Sequence, residues 1–169
     1  AYNAVQWVWS LHKGRKVGLY CSDVSGAFDR VCSSRLLKKL KALGVQGRLW
    51  KLLESWLEYR EAVVVVNGAR SQTVQLHYQV FQGTVWGPPL WNCYFADARH
   101  VAEDEGFSDT FFADDLNLYK SFPAQTTNTA VFQSLDSCQS SLPHWGASNQ
   151  VRFKAAKEGR PVTQTEAAA

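Results

Sequence analysis

The sequence predicts an α+β fold, an antiparallel sheet with helices packed on one face. Three observations predict it. Apolar stripes at helical spacing are interspersed with β-prone runs, without the regular strand–helix alternation of a parallel sheet. Asn67-Gly68 lies between two β-prone runs, a strong hairpin signal. Two further apolar runs flank Ala113-Asp114-Asp115 and mark a second hairpin. The 169 residues, 46% of them apolar, suit one domain and exclude disordered and collagen-like classes. No apolar run approaches the ~20 residues that span a bilayer, so no membrane partner is expected.

The elements follow in order. Residues 2–12 carry Val5, Trp7, Val8 and Leu11 at helical spacing. After the turn Lys13-Gly14-Arg15-Lys16, residues Val17 to Asp23 read as a strand that ends on an acid. Ser33 or Ser34 is placed to cap a helix with Leu36, Leu37, Leu40 and Leu43 on one face, and Gly44 to stop it. Leu49, Leu52, Leu53, Trp56 and Leu57 form the stripe of a second helix. Ala62 to Val66 and Thr73 to Leu76 are the strands of the Asn-Gly hairpin. Gly83 to Pro89 is a loop, and Pro88 or Pro89 opens a helix carrying Leu90, Tyr94 and Val101. Phe107 to Phe112 and Leu116 to Tyr119 are the strands around the Asp pair. Residues 124–142 read as a helix with Val131, Leu135, Cys138 and Leu142, ended or kinked by Pro143. Asn149 to Phe153 reads as a last strand. The polar, Ala-rich tail, residues 159–169, is expected to be disordered, leaving 1–158 as the domain.

The net charge of +3 conceals an asymmetry. Residues 1–60 hold 11 basic and 4 acidic side chains, whereas residues 61–120 hold 3 and 8. A basic segment beside an acidic one suggests a surface for a polyanion next to a carboxylate cluster, although charge by itself favours helix faces that simply meet water. The exposed positions Lys38, Lys39 and Lys41 carry the same two readings. Cys21, Cys32, Cys93 and Cys138 have no metal-binding spacing and read as reduced thiols. There is no methionine and no charged, apolar leader. A piece of a longer intracellular protein, nuclear or cytoplasmic rather than secreted, is the expectation.

The chemistry concentrates in the acids. Asp114 and Asp115 sit together at the tip of an apolar hairpin. Crowding two carboxylates is costly unless a cation compensates, and hard oxygen ligands suit Mg²⁺; a solvated turn is the other reading. Asp23, at a strand end, is positioned to complete a site for two metal ions. Asp29, beyond the turn and before a basic helix, reads as a structural partner.

Read together, these segments resemble the reverse transcriptases, most closely the non-LTR (LINE-like) retrotransposon type. Asp23-Val24-Ser25-Gly26-Ala27-Phe28-Asp29 resembles motif A of that family. Phe81-Gln82-Gly83-Thr84 through Pro89-Leu90 resembles motif B, and Phe112-Ala113-Asp114-Asp115 motif C. Trp145-Gly146 through Phe153 and Lys157 resembles motif D. Order and spacing fit as well. The resemblance implies a polymerase palm with part of the fingers. It implies that Asp23, Asp114 and Asp115 are catalytic metal ligands, with the Val24 carbonyl as a further ligand for two Mg²⁺ ions (Mn²⁺ being possible in their place). It also implies that Phe28 excludes a 2′-OH, that Gln82 and Gly83 line the nucleotide and template, and that Lys157 donates a proton to pyrophosphate. The implied activity is RNA-directed DNA synthesis on an RNA template from a DNA or RNA primer and dNTPs. A catalytically inactive retroelement remnant that only binds nucleic acid is the alternative. Four positions depart from the family pattern: Phe81 before Gln82, Trp86 for an aliphatic residue, Pro143 inside a helix, and Lys154 where Asp or Asn is often found.

Overall fold

The computed structural model describes residues 2–58, 60–76, 78, 80–154 and 159–163. The chain divides into two compact units, Ala1–Ser25 with Asp97–Ala169, and Gly26–Ala96.

The first unit is built on β1 (Lys16–Asp23), which pairs antiparallel with β7 (Asp115–Phe122) over eight residues, from Lys16↔Phe122 to Asp23↔Asp115. β6 (Ser108–Phe112) pairs with the other side of β7, and β8 (Val162–Thr163) with the other side of β1, giving the order β6-β7-β1-β8. Opposed residues share a face. Tyr20 and Leu118 therefore point together into a core with Leu116, Val131, Leu135, Cys138 and Leu142, all fully buried. Each such aliphatic contributes about 1.5–3 kcal/mol by leaving water. Asp23, Cys21 and Leu19 share the opposite face with Asp115, Asn117 and Tyr119. There α1 (Tyr2–His12) sets the Trp7 ring edge-on against Tyr119.

The core face is covered by α6 (Asn128–Asn149), whose Thr127 side chain accepts from the Ala130 N–H at 3.2 Å. Gly18 permits the close approach of β1 to α6: a Cβ there would lie 3.1 Å from both Phe122 and Val131. Of the two outcomes expected at Pro143, an end to the helix is not the one found: α6 runs on to Asn149. Val131, Leu135, Cys138, Leu142, Gly146 and Asn149 form one buried stripe on both sides of the proline, and that burial outweighs one lost backbone bond. The expected strand from Asn149 is instead the helix end, with Gln150 left-handed at φ 61°, followed by a single bridge from Phe153 to Val24.

The expected disordered tail is also corrected in part. Val162 and Thr163 pair with Gly18 and Val17, and Gly159 and Cys21 exchange both backbone hydrogen bonds. Backbone pairing needs no apolar side chains, so composition does not reveal it, and it covers the free edge of β1. Residues 164–169 lie outside the described residues.

The second unit packs α2 (Ser33–Ala42), α3 (Gly47–Leu57) and α4 (Gly87–Phe95) around Leu36, Leu40, Leu53, Leu57, Val80, Leu90, Trp91 and Tyr94. Neither serine caps α2: Cys32 holds the N-cap position without a side-chain bond, and Ser33 Oγ donates to the Leu57 carbonyl instead. The glycine stop holds, with Gly44 at φ +89°. Lys39 is drawn off the exposed basic face, donating to the Tyr94 carbonyl at 2.6 Å and lying over its ring. The Asn-Gly hairpin is nested. β3 (Val65–Val66) and β4 (Ala69–Arg70) close on Asn67-Gly68, while β2 (Arg60–Ala62) pairs with β5 (Val74–Leu76) outside them. Both turn residues have positive φ, 50° and 82°, which accounts for the Asn-Gly choice. The helix expected through Leu90, Tyr94 and Val101 is two helices, α4 and α5 (Ala98–Asp104), divided where the two units meet in sequence. Among the described residues no helix is long and apolar enough to cross a membrane.

Candidate metal centre

The ladder between β1 and β7 carries two acids to the same place. Asp23 is the last residue of β1, and its register partner is Asp115, the first residue of β7. Like charges directly opposed across strands are destabilising. The third acid, Asp114, lies in the turn between β6 and β7, where Ala113 adopts φ 54°. A left-handed alanine costs about 1–2 kcal/mol, strain that this turn retains next to the acids. The Val24 N–H donates to the Asp114 carbonyl at 3.0 Å, tying the hairpin tip to the end of β1.

One carboxylate oxygen from each of Asp23, Asp114 and Asp115 lies within 4.8 Å of the others. Asp23 is buried, Asp114 half-buried and Asp115 exposed. Each pair at that separation repels by about 3 kcal/mol at an effective dielectric constant near 20. An all-oxygen anionic set of this kind fits a hard divalent cation, with one buried ligand for rigidity and two facing solvent for access. The three acids expected to bind metal are therefore brought together within one unit. Burial and the nearby Asp115 charge push the Cys21 thiol on the same face upward.

A residue unassigned in the sequence completes the cluster. Lys154 Nζ lies 2.5 Å from Asp23 Oδ2, and the Lys154 backbone N–H donates to the Asp23 carbonyl at 2.8 Å. The hydrogen bond to Asp23 raises the Lys154 pKa, partial desolvation opposes this, and the Asp23 and Asp114 charges add to the rise. The only signal in the sequence was its departure from the Asp or Asn usual there.

The segment bearing Lys154 is seated by the end of α6. Trp145 Nε1 donates to Asp97 Oδ1 at 3.2 Å, and the Val151 N–H donates to the Gly146 carbonyl at 2.8 Å. A Cβ on Gly146 would stand 2.7 Å from the Val151 carbonyl and 3.2 Å from the Phe153 ring. Gly146→Ala is accordingly expected to lower stability by about 1–3 kcal/mol, because backbone rather than a flexible side-chain tip must move. Gly159→Ala, with nothing among the described residues within 4 Å of its Cβ, is the control and should stay within about 0.5 kcal/mol in urea unfolding.

The remaining expected site residues belong to the second unit, apart from one. Phe28 opens a short 3-10 turn (Phe28–Arg30), is half-buried, and rests on Trp91 at 5.9 Å between ring centroids. Its carbonyl accepts from the Val80 N–H at 2.8 Å. Gln82 and Gly83 are exposed on a tight loop that Thr84 braces, its hydroxyl donating to the Phe81 carbonyl at 2.7 Å. Gly83 has φ +86°, which favours glycine. A Cβ on Gly87 would lie 2.8 Å from the Phe81 carbonyl and 3.7 Å from the Phe28 ring, so this loop and Phe28 are neighbours. Lys157 lies outside the described residues.

The chain is 32% identical over 145 residues to the RNA-directed DNA polymerase from mobile element jockey of Drosophila funebris, covering 82% of this chain and 16% of the relative. It is 33% identical over 108 residues to a probable RNA-directed DNA polymerase from transposon BS of Drosophila melanogaster, covering 59% of this chain and 12% of the relative. The chain thus spans under a fifth of the length of these relatives. The fold is similar to that of apo telomerase from Candida tropicalis truncated from its C-terminal domain. The TM-score is 0.65 at 12% identity, over 99% of this chain and 35% of the other. The family model described as reverse transcriptase (RNA-dependent DNA polymerase) matches residues 6–160, a span that contains Asp23, Asp114 and Asp115. On that match, with these acids gathered at the ends of paired strands, the chain belongs to the reverse transcriptase family.

Proposed function

We propose that this chain is the palm, with part of the fingers, of an RNA-directed DNA polymerase encoded by a LINE-like retroelement. The observation that carries the proposal is the Asp23–Asp114–Asp115 cluster, its carboxylate oxygens within 4.8 Å of one another. The partners are an RNA template, a DNA or RNA primer and dNTPs. The primer 3′-OH attacks the α-phosphate of the dNTP, a new P–O bond forms, and pyrophosphate leaves with the electrons of the broken P–O bond. Two Mg²⁺ ions held by the three carboxylates and the Val24 carbonyl, or Mn²⁺ in their place, would activate that hydroxyl and offset charge on the leaving oxygen.

The chain's own residues do the positioning. Asp23 and Asp115 are held by the β1–β7 ladder, and Asp114 by the strained turn. Phe28, braced by Trp91, is assigned to exclude a ribose 2′-OH. Gln82 and Gly83 are assigned to the nucleotide and template, and Lys157 to proton donation at pyrophosphate. One observation favours the second reading, an inactive remnant that binds nucleic acid: Lys154 pairs with Asp23 on the metal-binding side chain itself.

Primer extension on an RNA template by the longer protein that carries this segment separates the two. Synthesis above the Asp114→Ala variant supports the polymerase; equal, background synthesis leaves the remnant. Phe28→Ala is expected to raise incorporation of rNTPs relative to dNTPs by at least about tenfold. An unchanged ratio removes Phe28 from sugar selection.

A further inference from the structure

Asp23 is buried, with a side chain only 6% exposed, and its carboxylate is met by an ammonium group at 2.5 Å. The Lys154 side chain is 39% exposed, so it reaches the acid from the solvent side and can leave without giving up a buried position. Its backbone is held independently of the side chain. The Lys154 N–H holds the Asp23 carbonyl at 2.8 Å, Ser25 N–H holds the Arg152 carbonyl at 2.7 Å, and Phe153 bridges to Val24. The ammonium is thus tethered beside the cluster at high effective concentration.

From this geometry we propose that Lys154 is an internal countercation that competes with divalent metal for Asp23. Metal loads the cluster as the lysine ammonium is displaced. The proposal rests on the reading of the three acids as a metal site. A divalent ion bound to Asp23 Oδ2 at about 2.1 Å would stand no more than about 4.6 Å from an ammonium still in place. Two cations that close on one carboxylate repel, so each weakens the other's hold and they compete for the Asp23 charge. With Lys154 bound, the cluster carries one negative charge fewer, which keeps it together without metal and weakens its attraction for metal. Lys154 is in this sense a positioning residue: it sets how much metal the site requires.

The test is Mn²⁺ binding to the chain, with free Mn²⁺ read by electron paramagnetic resonance. Lys154→Met removes the charge and keeps most of the stem, and is expected to tighten Mn²⁺ binding by at least about tenfold. Lys154→Arg keeps the charge and should stay within about threefold of wild type. A second measurement uses the wild-type chain alone: acylation of the Lys154 amine, read by mass spectrometry, should rise several-fold when saturating Mn²⁺ releases it. Mn²⁺ affinity unchanged or weakened in Lys154→Met, or Lys154 acylation insensitive to Mn²⁺, overturns the proposal. Asp114→Ala separates the two levels. If it binds Mn²⁺ as wild type does, the metal-site reading falls and takes this proposal with it. If it loses Mn²⁺ while Lys154→Met binds like wild type, the metal site stands and the countercation falls.

Discussion

Replacing Asp114 with alanine is expected to lower primer extension by on the order of 10³-fold while leaving the fold intact. Both halves of that result follow from position. Asp114 is half-buried in the turn between β6 and β7, and what this turn contributes to the ladder is its backbone carbonyl, which accepts from the Val24 N–H. Alanine keeps that bond. It also removes one of three carboxylates lying within 4.8 Å of one another, so repulsion in the metal-free protein falls. The melting temperature without metal should therefore be unchanged or slightly raised, and the stabilisation gained on adding metal should be lost. Circular dichroism melts with and without Mn²⁺, run beside the extension assay, check both. A melting temperature that drops with activity would make Asp114 a structural residue.

Trp91→Ala is expected to cost about 3–5 kcal/mol, the largest effect on stability among single substitutions in the second unit. Trp91 is 1% exposed, stacks on Phe95 at 5.1 Å between centroids, and touches Tyr94 and Phe28. Truncation leaves a cavity that helices α2, α3 and α4 cannot close without moving. Urea unfolding measures the loss, and amide exchange locates it: protection should fall across Gly26–Ala96 first. On the role proposed for Phe28, which rests on this ring, sugar discrimination should weaken as well. Trp91→Phe, which keeps an aromatic face, should lose less on both counts. Exchange that rises uniformly over both units would show that they unfold together.

Much of the site was legible because its signals are local. An acid closing an apolar strand, two acids at a hairpin tip and Asn-Gly between β runs each carry their meaning within a few residues. The register that opposes Asp23 to Asp115 is a long-range pairing, which the position of both acids at strand ends suggests without fixing. What could not be read depends on distant partners. Pro143 is a helix breaker by any local rule, and only the buried stripe on both sides of it keeps α6 whole. The break between α4 and α5 has no Gly or Pro to announce it. β8 forms from backbone groups that any sequence possesses. Lys154 reaches Asp23 across 131 positions of sequence, a distance at which neither periodicity nor motif spacing gives warning.

The eight-residue ladder between β1 and β7 has a consequence for how such a gene wears out. Adjacent strand residues point to opposite faces, about 3.3 Å apart along the strand. One residue inserted into or deleted from Lys16–Asp23 or Asp115–Phe122 would turn an acid away from its partners, although every acid would still be encoded. The exposed Val65–Arg70 hairpin, by contrast, can change length and leave the acids where they are. Whether the three acids of a chain like this one still meet is therefore written in the lengths of two strands as firmly as in the aspartates themselves.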